Sequence, residues 1–175
     1  MIRYWSFYQV LEYFFPHFDK QVAVAELTRF LRNPLFDPHD EESVLNVAEL
    51  ASSVSNNVKN EEEQLYTTLR SVVSELEVKR FIRDHELEEH LSDKNSELST
   101  VRIQVSREED ILRRLAARIY AIRCGIVHSK STNSKGAGSG LLPGTHHDDL
   151  ILIELPLIEF LAQQALLKTA TKFQI

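Results

Sequence analysis

Apolar residues recur along this chain at intervals of three and four and nowhere alternate over any length, so the pattern predicts helices throughout. Residues 2–15 place Tyr4, Tyr8, Leu11 and Phe15 on one face with Phe7 and Phe14 beside it, a helix that Pro16 ends or kinks. Val22, Ala25, Leu27, Phe30 and Leu31 mark a second, short helix. It stops before Asn33-Pro34 because the residue ahead of a proline avoids helical geometry. Asp37-Pro38, a capping acid followed by proline at the first helical position, opens a third helix through Val44, Val47, Leu50 and Val54, closed by Asn56-Asn57. Asn60 with Glu63 is a further cap signature, ahead of Leu65, Leu69, Val72, Val73 and Leu76 in a helix reaching toward Phe81 and Ile82.

Residues 83–105 are polar and predict no clear element; His85 and His90, set among Glu86, Glu88 and Glu89, read as a solvated helix face. Ser106 with Glu109 forms a capping box before the most regular run of the chain, a helix from about Arg107 to Ser129. A Ser-, Asn-, Lys- and Gly-rich stretch over 131–144 predicts a flexible linker, and a strongly apolar helix over 148–168, with Pro156 as a candidate kink, closes the chain. The expected fold is all-α: an antiparallel bundle of about five to six helices in one domain over 1–175. A helix that starts uncapped at the second residue is also the pattern expected of a chain cut from a longer one.

Composition narrows the compartment and the partners. With 43% hydrophobic and 26% charged residues the chain can bury a core unaided, and its single cysteine, Cys124, excludes an internal disulfide. No paired Cys/His spacing suggests a structural zinc, so neither metal nor cofactor is expected and a reducing cytoplasm is the expected location. No uninterrupted apolar run reaches the ~20 residues that span a bilayer, so no membrane partner is expected. The net charge of −6 argues against a general polyanion binder. It hides an asymmetry, since residues 40–89 carry thirteen acids against five bases while residues 102–130 carry seven bases against three acids. Any nucleic-acid contact is therefore expected from the second segment.

On a helical wheel Ile111, Leu115, Ile119, Ile122 and Ile126 fall within roughly 80° of one another, which makes them the core face. Opposite them lie Ala116, Ala117, Tyr120, Cys124 and Val127, small or aromatic where a surface helix would carry lysine and glutamate. A helix apolar on two faces sits either at the centre of its own bundle or between that bundle and a partner. The second option predicts a homodimer whose two-fold axis runs beside Ala116, Tyr120 and Val127. Arg123 and His128 flank this strip, about 140° apart and ~7.5 Å apart along an ideal axis. A planar permanent cation and a side chain titrating near neutrality are a minimal kit for cleaving RNA without metal. The histidine would move the 2′-hydroxyl or leaving-group proton while the arginine stabilises the charged transition state. From residue types alone, an ion-pairing arginine and a structural histidine are the commoner meaning of such a pair.

The run Ile119-Tyr120-Ala121-Ile122-Arg123-Cys124-Gly125-Ile126-Val127-His128-Ser129-Lys130 resembles the R-x-x-x-x-H signature of the HEPN superfamily, small helical bundles found in prokaryotic toxin, phage-defence and RNA-processing systems. Residues 6–14 resemble the first helix of its larger members and residues 154–162 their last. The resemblance implies a metal-independent endoribonuclease acting on single-stranded RNA at a composite dimer interface, with Arg123 and His128 catalytic and Tyr120, Cys124 and Lys130 supporting or contacting RNA. It implies an antitoxin or a sensor domain of a longer chain as further partners. Its alternative is a catalytically silent module that dimerises or senses a nucleotide or partner. One departure bears on activity: members that cleave commonly carry a polar Asn, Asp or His directly after the arginine, whereas Cys124 is a weak hydrogen-bonding group.

Two other signals carry little. Residues 136–140, Gly-Ala-Gly-Ser-Gly, follow a helix and lack the Gly-Lys-Ser/Thr ending of a phosphate loop, so they read as linker. His146-His147-Asp148-Asp149 has metal-binding residue types, but neighbours in a helix point about 100° apart and no distant partner is evident, so a polar helix start capped by Thr145 is expected.

Overall fold

The computed structural model describes residues 1–56, 60–106, 110–127 and 140–170, with the backbone alone at Leu50 and at 53–56. Among these residues the fold is an all-α bundle of eight helices: α1 (Ile2–Tyr13), α2 (Phe15–Leu31), α3 (Glu41–Asn56), α4 (Glu61–Val72), α5 (Glu75–Asp84), α6 (Glu88–Ser92), α7 (Ile111–Val127) and α8 (His146–Ala170). The core is built where α1 packs on α8 and α4 packs on α7, with α2 against α4. Tyr4, Tyr8, Leu11, Phe15 and Phe18 line it from the aromatic N-terminal segment, as their helical spacing requires. α3 packs on α2 and leaves Val44 and Leu45 exposed, so its apolar stripe is only partly used.

Four helix starts differ from expectation. The second helix is not short: it begins at Phe15 and runs 17 residues, because Pro16 falls in its first turn, where its missing amide has no helical partner to lose. Asp37 accepts a hydrogen bond from the His39 amide in a turn, and α3 begins after Asp40, whose carboxylate accepts from the amide and hydroxyl of Ser43. Asp110 caps α7 by accepting from the Arg113 amide at 3.0 Å, in the place assigned to Ser106. The helix expected from Asn60 to Ile82 breaks at Val73, whose backbone is extended. Ser74 then opens α5 with a full capping box: its hydroxyl accepts from the Glu77 amide while the Glu77 carboxylate accepts from the Ser74 amide. This break, and the one-turn α6, raise the helix number above five to six.

Between α6 and α7 the chain forms an irregular strap over 93–106 that buries Leu98, Ile103 and Val105 and hydrogen-bonds back to Leu91 through the Ile103 amide. Of the expected linker, residues 131–139 lie outside the described residues, whereas its end is part of the core. Leu141 is buried at 1% exposure, and its amide donates to the Gly125 carbonyl at 2.9 Å. A Cβ on Gly125 would stand 3.0 Å from the Leu141 side chain, so glycine there permits the close approach. α8 alone among the described helices is long and apolar enough to cross a membrane by length and composition, although 44% of its most apolar window is buried inside the bundle. Pro156 lies within it on the exposed face, where water can satisfy the carbonyl that lacks a helical donor.

Candidate functional site

α7 is the central helix of the site, and its core stripe is as read from the wheel: Ile111, Leu115, Ile119 and Ile122 are buried and Ile126 packs against them. Its opposite strip is divided. Ala116 is fully buried in the chain's own core, so it offers no surface to a second chain, which corrects its assignment to a dimer interface. α7 is apolar on both faces along its first half because the bundle itself encloses it there. Tyr120 is half-buried against the core, Cys124 is a half-buried free thiol, and Val127 is 43% exposed. His128 and Lys130 lie outside the described residues.

Arg123 sits three-quarters of the way along α7 with its side chain 16% exposed. Its guanidinium lies 5.5 Å from the centre of the Tyr8 ring and forms an ion pair with Glu61, the first residue of α4, at 3.2 Å. The hydrogen bond of this pair runs from Nη2 to Glu61 Oε1 at 3.4 Å; the nearer Oε2 is not aligned for one and has no other partner. Arg123 Nε and the Tyr8 hydroxyl are likewise buried without a partner. Burial opposes the charge on Arg123, but Glu61 and Tyr8 outweigh it and raise its pKa; burial, then Glu61, raises that of Tyr8. Burial and the adjacent Cys124 raise that of Tyr120. Neither of these neighbours of Arg123, Glu61 of α4 and Tyr8 of α1, lies near it in the sequence.

Three of the seven basic residues of the 102–130 segment, Arg113, Arg118 and Arg123, form ion pairs within the fold. Arg113 donates two hydrogen bonds to Glu63, at 2.8 and 3.3 Å, and stacks 3.9 Å from the centre of the Tyr66 ring. The Tyr66 hydroxyl in turn donates to Asp110; burial would raise the pKa of Asp110, but this bond and the Arg113 amide hold it below the ordinary range. Glu61 and Glu63 belong to the acidic segment, so the charge asymmetry of the sequence becomes ion pairs between α4 and α7.

A second polar centre lies between α7, α8 and α6. Arg118 is fully buried, and its Nε and Nη2 donate to one oxygen of Glu154 on α8, at 2.8 and 2.5 Å. His90 Nε2 meets the same oxygen at 2.9 Å, so His90 is part of an interior network and not of a solvated face. Arg118 also donates to the Val101 carbonyl at 2.6 Å and to the Ser96 hydroxyl at 3.4 Å, tying the strap to α7 and α8. The available signal was a lone acid in the apolar run 150–158 and a lone arginine between Ala117 and Ile119. Each needs a partner to be buried. His85 stacks on Phe81 at 3.9 Å, and Phe81 stacks on Phe160.

The structure also supplies the distant partner that His146 and His147 lacked in the sequence. Both rings converge on Glu97 of the strap, which removes the reason for discounting a metal there. The chain matches no family model, no curated protein sequence and no solved structure.

Proposed function

We propose that the chain is an RNA-cleaving module of the HEPN kind, using Arg123 to bind and stabilise the scissile phosphate and His128 to move the proton of the attacking 2′-hydroxyl or of the leaving oxygen. The observation that supports this reading is the state of Arg123, a charged guanidinium in a motif position whose own protein leaves Nε without an acceptor. Cleavage in this scheme needs no metal and leaves a 2′,3′-cyclic phosphate, because the nucleophile is the neighbouring ribose hydroxyl. A homodimer belongs to the same reading, since a second copy supplies the second proton-transfer group. With Ala116 enclosed, that contact is assigned to the end of α7 around Val127, and phage defence or a toxin system is the setting.

A second reading rests on the Arg123–Glu61 pair: an arginine already neutralised and stacked on Tyr8 can be structural, which describes a catalytically silent dimerisation or sensing module. Glu61→Gln separates the two. In the ribonuclease reading this variant frees Arg123 for phosphate and raises single-stranded RNA cleavage, while Arg123→Lys and His128→Ala abolish cleavage with little change in melting temperature. Wild-type protein that cuts no RNA, with Glu61→Gln lowering only the melting temperature, establishes the silent module instead.

A further inference from the structure

His146 and His147 are the first two residues of α8, and Glu97 comes from the strap, 49 positions earlier in the chain than His146. His146 Nε2 stands 2.5 Å from Glu97 Oε2, and His147 Nε2 stands 3.6 Å from the same oxygen. The ligand atoms of the three residues all lie within 4.8 Å of one another. We propose that Glu97, His146 and His147 form a binding site for a divalent transition metal ion of the zinc class, with a further coordination position open to solvent.

The geometry is close to what such an ion needs. Bonds of ~2.0–2.2 Å to nitrogen and oxygen in a tetrahedral arrangement put neighbouring ligand atoms roughly 3.3 Å apart. The present separations of 2.5 and 3.6 Å bracket that value, and Glu97 and His146, each 59% exposed at the side chain, can shift to meet it. The hydrogen bond now joining His146 to Glu97 would yield its proton as the ion entered. His147, only 12% exposed, is the better fixed ring. The Thr145 hydroxyl gives its own proton to the Leu142 carbonyl at 2.7 Å and lies 3.1 Å from His147 Nδ1. Its lone pairs therefore favour a proton on Nδ1, leaving the Nε2 lone pair aimed toward Glu97. The Leu142 amide also donates to Nδ1, at 3.4 Å; this longer bond needs an unprotonated Nδ1 and is given up in the tautomer that presents Nε2 to a metal.

Glu97 is itself well delivered: its neighbour Leu98 is buried, and its other neighbour Ser96 accepts from the interior Arg118. Two imidazoles and one carboxylate suit zinc, nickel, copper or iron and disfavour magnesium and calcium, which require oxygen ligands throughout. The site is separate from the chemistry of Arg123 and His128, and its test does not depend on RNA cleavage.

The test is Zn2+ titration of the untagged, full 175-residue chain by calorimetry, with Co2+ absorption as a second readout of the coordination shell. Wild type is expected to bind one equivalent saturably, and Glu97→Gln and His146→Asn are each expected to weaken binding by roughly tenfold or more. Thr145→Val should weaken it by a smaller factor. His17→Asn, altering a ring that bonds Gln21 on α2, should change nothing. Because Glu97 and His146 are exposed, their variants should keep the wild-type melting temperature without metal. Wild type without saturable binding, or Glu97→Gln binding Zn2+ as wild type does, overturns the proposal and leaves the trio as an ion-paired clasp between strap and α8.

Discussion

Replacing Arg118 with methionine leaves the Glu154 carboxylate at 2% exposure with His90 as its remaining partner. Removing one member of a buried ion pair costs about 3–5 kcal/mol, because the other charge stays desolvated and uncompensated. Against a total stability of about 5–15 kcal/mol, and at roughly 2–4 °C per kcal/mol for a chain of this size, the melting temperature should fall by roughly 10 °C. Glu154→Leu should be comparably damaging, since it strands the guanidinium. The double variant Arg118→Met with Glu154→Leu buries no charge and should recover most of the loss. What it cannot recover is the pairing of the Val101 carbonyl and the Ser96 hydroxyl, a residual of about 1–3 kcal/mol. The assay is thermal and urea unfolding of all four proteins as a double-mutant cycle. Its pH dependence follows from Glu154. Burial would raise this carboxyl, but the His90 hydrogen bond and Arg118 outweigh it and hold the pKa below the ordinary 4.5. A folded-state pKa that is depressed contributes stability above the ordinary carboxyl range and loses it as the pH falls through the folded value. Wild type should therefore lose stability more steeply in acid than the double variant. Additive single losses, or an Arg118→Met loss below about 1 kcal/mol, would refute the reasoning.

Two further changes probe packing. Tyr4→Phe removes a buried hydroxyl with no partner and should raise stability by about 1 kcal/mol in urea unfolding. Gly125→Ala gains about 1 kcal/mol of helix propensity but drives a methyl to 3.0 Å from Leu141, a buried side chain with little room to move. The net should be a loss of about 1 kcal/mol, relieved when Leu141→Ala is added.

Helix type and the main core stripes were legible in the sequence because both follow from spacing: Tyr4, Tyr8 and Leu11 in α1 and Ile111, Leu115, Ile119 and Ile122 in α7 are buried as their periodicity requires. Helix ends were less legible because capping signatures overlap. Ser106 and Asp110 both precede the same apolar run, and only the fold selects Asp110, whose carboxylate also receives the Tyr66 hydroxyl. The break at Val73 was readable from Ser74 and Glu77, but the apolar stripe running past them masked it. Long-range polar partners were out of reach. Nothing local links Glu61 to Arg123, Glu97 to His146 or Arg118 to Glu154, since each pair is made by helix packing rather than by spacing. The two-faced character of α7 was visible, but which covering it received depended on neighbours the pattern did not name, and Ala116 went inside.

The Arg118 network has a consequence in time as well as in energy. It joins residues separated by 17, 36 and 64 positions, so each of its bonds closes a long loop that must be paid for entropically before the contact returns anything. Contacts of that kind are expected to form after the helices have paired, which a φ-value near zero for Arg118→Met would check. Their loss then shows chiefly as faster unfolding and hardly as slower folding. The strap over 93–106 is thus held by a latch whose opening is expected to set the unfolding rate more than the folding rate.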